Sequence, residues 1–144
     1  MITRGGIVLG FKRLFGVALA VIPFGFAFGS AAVSAGLSPE LAIAMSALVY
    51  AGASQFAVLE LWQHPLPYVS LVLITLAVNL RHVVFGAALT PLVRDIRGIK
   101  RILALGLLSD ANFADMQAAR QAGINDFGIL VGGGLALWVC WVAG

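Results

Sequence analysis

Apolar residues form long runs that are separated by short polar stretches, and a few polar residues interrupt the runs themselves. The long runs cover residues 15–37, 41–62, 66–93 and 127–144, and a shorter one begins at Ile102. About 20 apolar residues are enough for a helix to cross the hydrocarbon core of a bilayer. The pattern predicts an all-α, polytopic transmembrane protein with broken or kinked helices, in which residues 1–144 form a single transmembrane domain.

The composition supports this interpretation. Hydrophobic residues make up 61% of the chain and charged residues 10%, and the mean hydropathy is +1.02, values typical of membrane proteins. The basic residues cluster beside apolar runs, which favours contact with anionic headgroups of membrane lipid. We therefore expect a lipid environment and no nucleic acid partner.

Sequence motifs give no support for a metal site, a cofactor or an enzyme. Cys140 is the single cysteine, so no intrachain disulfide is available, and no zinc-type ligand spacing occurs. A phosphate-binding glycine loop, H-E-x-x-H and G-x-S-x-G are all missing. We predict no cofactor, no metal and no enzymatic activity, with an intramembrane hydrolase based on Ser54 and His82 as the less favoured alternative.

The first run contains residues that bend helices or let them approach closely. Pro23 removes a backbone donor in the middle of the run, and Gly25 and Gly29 begin a stripe of small residues. The stripe predicts close packing against another helix, with either a simple kink or a functional break at the proline. We interpret residues 1–13 as an interfacial leader before an uncleaved helix, because the run is too long and too interrupted for a signal peptide.

The second run opens with Ser38 and Pro39, which suit an N-cap and a first helical turn. Gly52 and Gln55 are three positions apart, so they share one helix face, and Ser54 lies between them. An unpaired amide in hydrocarbon costs several kcal/mol. We therefore expect Gln55 to face protein or a water-filled cavity rather than lipid, and we predict that Gln55 and Ser54 face a polar cavity shared with a polar residue of the third run.

That third run holds Asn79, Arg81 and His82 within otherwise apolar sequence. Asn79 and His82 share a face, whereas Arg81 points about 100° away from His82 on an ideal helix. All three avoid lipid only if protein surrounds this part of the helix or if the helix is broken here. We predict that Asn79 contributes to the cavity expected for Ser54 and Gln55.

The positions of the basic clusters constrain the topology. Residues 4–13 and 94–101 are both basic and should both lie in the cytoplasm. Three apolar runs separate them, although an even number of crossings is required. Either one of these runs is re-entrant or half-spanning, with the first and third as the candidates, or the positive-inside rule is broken here.

Four blocks of sequence, in this order, resemble the AzlC family, the large subunit of branched-chain amino acid permeases: "IPFGFAFG" (22–29), "GLSPELAIAMSALVYAGASQFA" (36–57), "AVNLRHVVFGAALTP" (77–91) and "LLSDANFA" (107–114). The resemblance implies a multi-pass exporter of branched-chain amino acids in the bacterial inner membrane, with a small AzlD-type membrane subunit as partner. Family members are longer, so this chain is interpreted as an N-terminal part. A channel-like or assembly subunit that moves no amino acid is the alternative.

A branched-chain amino acid brings a carboxylate, an ammonium group and an apolar side chain into the membrane. Arg81 is predicted to pair with the carboxylate and Asp110 with the ammonium group, while aliphatic residues of the first three runs receive the side chain. Broken helices near Pro23 or Gly52 would add backbone donors. The alternative is a purely structural Arg81–Asp110 ion pair. If export is coupled to protons, His82 and Asp110 are the titratable candidates.

Overall fold

The computed structural model describes residues 1–63, 65–94 and 96–144. Over these residues the chain forms eight α-helices and no strand: α1 (Arg4–Ser34), α2 (Pro39–Val49), α3 (Gly52–Glu60), α4 (Tyr68–Asn79), α5 (Arg81–Val93), α6 (Ile99–Gly106), α7 (Asp110–Gln121) and α8 (Gly128–Ala143). Two stretches are long and apolar enough to cross a membrane, Arg4–Ser34 and Tyr68–Val93. The all-α prediction is confirmed.

Helices α1 and α8 run parallel and form the most extensive contact in the fold. Glycines make the contact possible: a Cβ on Gly10 would overlap the carbonyl oxygen of Ile129, and a Cβ on Gly25 would overlap that of Trp141. Residue numbers rise together along both helices in these pairs, which defines the parallel direction. Without side chains at these points the two backbones approach closely enough to pack along the length of α8.

Asp126 joins the amino-terminal ends of α1 and α8. Its carboxylate accepts hydrogen bonds from the Thr3 hydroxyl, from the Thr3 backbone N–H at 3.2 Å and from the Gly128 backbone N–H at 2.8 Å. Burial acts to raise the pKa of Asp126, but these hydrogen bonds outweigh burial and lower the pKa below its ordinary value. The negative charge therefore stabilises the start of both helices.

Helices α2 and α3 form a hairpin whose two outer ends lie at the carboxyl-terminal end of α1. Ala42 of α2 and Leu59 of α3 both belong to the apolar cluster around Phe28. Tyr50, at the tip between the two helices, also reaches the cluster around Ala18, farther back along α1. The second apolar run thus extends from the carboxyl-terminal end of α1 toward its middle and returns to the same end. The first and third runs were the wrong candidates for such a segment.

Helices α4 and α5 continue in one overall direction, opposite to α1. Leu80, between them, keeps right-handed helical angles with φ −56° and ψ −30°. Helix α4 packs against α3, while Leu89 and Val93 of α5 join a cluster with Phe127 and Ile129 at the start of α8. This broken helix therefore leads back to the amino-terminal end of α1.

Helices α6 and α7 form a second, more open hairpin that enters from this end. Leu105 and Leu108 reach the neighbourhood of Tyr50, and α7 then returns outward. Asp115 of α7 forms an ion pair of 2.7 Å with Arg13 of α1. The tips of the two hairpins consequently meet near the middle of α1, approached from opposite ends.

Three details of the first run differ from the predictions. Helix α1 is continuous through Pro23, so no break occurs there, and it begins at Arg4, so most of the expected leader is part of the helix. Gly29 has open space where its Cβ would be. The small-residue stripe therefore does not follow one packed face: Gly25 contacts α8, but Gly29, one turn later, does not.

Candidate functional site

The tip of the α2–α3 hairpin is a strained break in the backbone. Helix α2 begins as the sequence indicated, since the Ser38 hydroxyl accepts from the Leu41 backbone N–H at 3.2 Å. It ends at Tyr50, whose φ of 45° makes it the one non-glycine residue with positive φ among the described residues. Such a conformation costs a tyrosine free energy and is commonest where function requires it.

Gly52 opens α3 directly against the Trp141 ring, so a larger residue at this position would require the ring to move. A Cβ there would lie 2.8 Å from the Cη2 atom of the Trp141 ring. No side chain caps the first turn of α3, so its backbone donors are left for another partner. The Tyr50 hydroxyl donates to the Gly134 carbonyl at 3.4 Å, a long hydrogen bond that ties the tip to α8.

The interruption between α4 and α5 places three polar side chains at the level of this tip. The amide of Asn79 donates back to the Thr75 carbonyl at 2.9 Å. Nδ1 of His82 lies 3.3 Å from the Asn79 carbonyl oxygen. The side chains of Asn79 and His82 thus contact nearby backbone carbonyls of the α4–α5 segment. Arg81, which lies between them in the sequence, is the side chain that reaches across the fold.

Arg81 reaches Asp110, the first residue of α7. Its guanidinium NH1 lies 2.9 Å from Oδ2 of Asp110, and the two side chains are 38% and 57% exposed. The Nε atom of Arg81 is buried and has no hydrogen-bond partner among the described residues. The guanidinium therefore retains an unused donor beside the ion pair.

A cavity of about 320 Å³ opens beside this ion pair. Its volume lies at the lower end of the range for sites that bind small molecules. Both hairpin tips and the start of α5 contribute to it, and apolar side chains complete the wall: Val21, Leu108, Leu137 and Trp141. Two opposite charges thus face a mostly apolar space. The charges of a small zwitterion would meet Arg81 and Asp110, and its apolar part would meet the apolar wall.

A second cavity of about 180 Å³ adjoins the first, and the two share Tyr50, His82 and Leu108. Asn79 lines the second cavity. His82 therefore lines both spaces, while Asn79 lies in the neighbouring cavity rather than beside the Arg81–Asp110 pair.

Ser54 and Gln55 lie elsewhere than predicted. The Ser54 hydroxyl donates to the Ala51 carbonyl at 2.9 Å, and Gln55 is fully buried between α3 and α2. Neither lines the two cavities, so they do not share a polar cavity with Asn79. Gln55 avoids lipid as expected, but it does so by burial in protein, because α3 doubles back onto α2.

A larger groove of about 540 Å³ lies between the end of α1, α2 and the end of α8. Gly25, Gly29, Ser46 and Trp141 are among its lining residues, and no charged side chain is. A zwitterion would leave both of its charges unmatched in this groove. The smaller cavity at Arg81 and Asp110 is therefore the better candidate site despite its size.

Sequence reasoning did not identify Tyr50, Ser109 and Asn112 as residues of this region. Asn112 Oδ1 accepts from the Ser109 backbone N–H at 2.7 Å, and Asn112 Nδ2 donates to the Leu107 carbonyl at 2.6 Å. The available signal was a serine followed three positions later by a side chain that can cap a helix start. That pattern marks where α7 begins, but it does not indicate that α7 begins beside Tyr50.

Comparisons with known proteins find relatives that are named as membrane proteins. An "uncharacterized membrane protein" of Archaeoglobus fulgidus is 30% identical over 141 residues, which cover 98% of this chain and 58% of that protein. The inner membrane protein YgaZ of Escherichia coli K12 is 29% identical over 138 residues, or 94% of this chain and 56% of that protein. The chain thus spans a little more than half the length of these relatives. No solved structure gives a significant match.

The family resemblance of the four sequence blocks extends over most of the chain. The family model described as "AzlC protein" matches residues 16–144. This range includes both hairpin tips, the interruption between α4 and α5 and every residue around the cavity. The chain is therefore a membrane protein that belongs to the AzlC family.

Proposed function

We propose that this protein is a transporter subunit that exports branched-chain amino acids such as valine across the bacterial inner membrane. The observation that carries the proposal is the Arg81–Asp110 pair, which faces a small apolar-walled cavity where three helix interruptions meet. Transporters commonly bind their substrates at discontinuous helices near the middle of the membrane.

The substrate is proposed from the chemistry of the cavity. The carboxylate of an amino acid would replace Asp110 on the guanidinium of Arg81, including its unpartnered Nε, and the ammonium group would take the carboxylate of Asp110. The aliphatic side chain would then lie against Val21, Leu108 and Leu137. Each charge of the ligand is paired, so the cost of removing it from water is offset.

The helix directions support a multi-pass topology. If α1 crosses the membrane and α4–α5 crosses back, the α2–α3 hairpin adds no crossing, and the basic residues at 4–13 and 94–101 fall on the same side. The positive-inside rule assigns that side to the cytoplasm. The ion pair between Arg13 and Asp115 is consistent with this arrangement, because it joins elements adjoining the two basic regions.

The proposal also includes a partner subunit and the groups that would exchange protons. A small AzlD-type membrane subunit is the proposed partner, on the resemblance to the family alone. If export is proton-coupled, His82 and Asp110 are the groups proposed to exchange protons, because both line the cavity. We propose no enzymatic role, since the Ser54 hydroxyl is directed to Ala51 and Ser54 lies outside the cavities that His82 lines.

Uptake of radiolabelled valine into inside-out membrane vesicles tests the proposal. Vesicles that contain the protein and its partner should accumulate valine above vesicles with neither, with saturable kinetics and with competition by leucine and isoleucine. Vesicles with each subunit alone show whether the partner is required. Absence of uptake under all these conditions would favour an assembly subunit, and non-saturable flux would favour a channel.

A further inference from the structure

The sequence contains an internal repeat that the helices of the fold follow. Phe28–Gly29 and Phe85–Gly86 lie 57 positions apart, and the same distance separates Gln55–Ala57 (QFA) from Asn112–Ala114 (NFA). Short matches of this kind carry little weight alone. They gain weight when one shift also aligns the structural elements.

A shift of 57 positions places α2 on α6 and α3 on α7, with helix ends that agree to within about four residues. It also places α1 on α4–α5, and Pro23 on Leu80, where the second of these units is interrupted. The two units point in opposite directions, because α4–α5 runs opposite to α1 and the hairpins enter from opposite ends. Inverted repeats of this type form the substrate site of many transporters at the interface between the repeats.

Gln55 and Asn112 occupy equivalent positions in the two hairpins, and both are fully buried amides. Asn112 fixes the tip of the α6–α7 hairpin: its oxygen accepts from the Ser109 backbone N–H, and its nitrogen donates to the carbonyls of Leu107 and Leu130 at 2.6 and 3.1 Å. The backbone of this tip is thereby held against α8.

Gln55 makes no such bonds to its own tip. Its Oε1 has no hydrogen-bond partner among the described residues, and its Nε2 makes one weak contact of 3.5 Å with the Ser46 hydroxyl. Tyr50, at the tip, is held in a left-handed conformation. Buried amide oxygens are normally hydrogen-bonded in native proteins, so Gln55 holds a hydrogen-bonding group that a second arrangement of the hairpin would satisfy.

We propose that Gln55 and Asn112 are equivalent positioning residues, each of which fixes the tip of its own hairpin at the shared cavity when that hairpin is closed. In this structure the Asn112 amide holds the α6–α7 tip, whereas the Gln55 amide makes no bond to the α2–α3 tip, so one of two inverted gates is open. In the closed arrangement the Gln55 amide bonds the backbone at Tyr50 and Gly52, as Asn112 bonds Leu107 and Ser109. The role in transport rests on the function proposed above, whereas the repeat and its two amides do not.

The test compares two replacements of Gln55. If Gln55 only fills space, the smaller residue should be more disruptive; if its amide positions the tip, the residue without an amide should be more disruptive. Gln55→Met keeps the volume but loses the amide, and Gln55→Asn loses volume but keeps the amide that the other repeat uses. The reporter is Ala53→Cys at the α2–α3 tip, with Ala111→Cys on α7 as its matched control, both in a Cys140→Ala background. The rate of labelling by a membrane-impermeant thiol reagent and the melting temperature are measured in the intact protein, with no amino acid present.

The proposal expects the substrate-free protein to reach the open arrangement of this structure from a more populated closed one. Gln55→Met should then raise the labelling rate of the Ala53→Cys reporter about tenfold, because the variant lacks the hydrogen bond that holds the closed arrangement. Labelling at the control position and the melting temperature should stay unchanged, and Gln55→Asn should behave like the parent. If Gln55→Met fails to fold, Gln55→Leu replaces it. Four results would each overturn the proposal. They are equal labelling rates in Gln55→Met and the parent, a larger effect of Gln55→Asn than of Gln55→Met, equal changes at both reporter positions, and no labelling of the Ala53→Cys reporter in the parent. Because the assay contains no substrate, a protein that does not move valine can still pass it.

Discussion

Replacement of Arg81 separates a substrate-binding guanidinium from a structural ion pair. Arg81→Gln keeps a polar side chain but shortens it and removes the charge that faces Asp110 across 2.9 Å. The two explanations of the pair make different predictions for stability and for binding, and the exposure of the side chains makes the difference measurable.

Stability should change little. The side chains are 38% and 57% exposed, so the pair resembles a surface ion pair, and its loss should cost no more than about 1 kcal/mol. A fully buried pair would instead cost roughly 3 to 5 kcal/mol on removal of one partner. The melting temperature of Arg81→Gln should therefore fall by less than about 5 °C.

Binding should change much more if Arg81 holds the substrate carboxylate. A hydrogen bond to a charged group contributes about 1.5 to 3 kcal/mol, which corresponds to a rise in the Kd for valine of roughly 10- to 150-fold. Arg81→Lys should retain part of the activity, because an ammonium group keeps the charge but cannot offer a bidentate fork. Binding is measured by calorimetry on the purified protein and flux by vesicle uptake.

The double variant Arg81→Gln, Asp110→Asn decides between the explanations. It removes both charges, so no charge is left without its partner. A folded double variant without valine flux supports the substrate site. Restored flux in the double variant would refute the reasoning, because a site that needs both charges cannot work with neither.

Three other predictions follow from the contacts of the helices. Gly132→Leu should prevent assembly, because a Cβ there overlaps the carbonyl of Ile7 on α1, whereas Gly29→Leu, with open space around it, should be tolerated; size-exclusion profiles compare them, and equal profiles would contradict the packing. The pKa of Asp126 is lowered in the folded state, so the stability that its carboxylate contributes is present above the unfolded pKa near 3.9 and is lost as pH falls through the folded pKa. Asp126→Asn should therefore lower the free energy of unfolding at pH 7 by roughly 1 kcal/mol and reduce the pH dependence of the melting temperature between pH 5 and 2. A pH dependence equal to that of the parent protein would contradict this prediction. Ser38→Cys and Gln63→Cys should be labelled from the same side of the membrane, because α2 and α3 form a hairpin, and labelling from opposite sides would mean that this segment crosses.

The sequence by itself determined the environment and the helical class of this protein. An apolar content of 61% leaves too little polar surface for a soluble domain of this length, and lipid then requires that every backbone group be satisfied within helices. Local signals were also sufficient at the start of α2, where Ser38 and Pro39 act through neighbours in the chain. The pairing of Arg81 with Asp110 could be proposed because few charges were available within the apolar runs.

Tertiary structure decided which helices double back and which residues meet. Whether the second run crosses or returns depends on the left-handed turn at Tyr50 and on the fit of Gly52 against Trp141, a residue far away in the chain. The same return buries Gln55 against Ser46, which no spacing within the run could reveal. Gly25 and Gly29 look alike in sequence, and only the position of α8 makes the first a contact and leaves the second open. Local sequence specifies where a helix begins and ends, but the partner that covers each face is chosen by the packing of the whole chain.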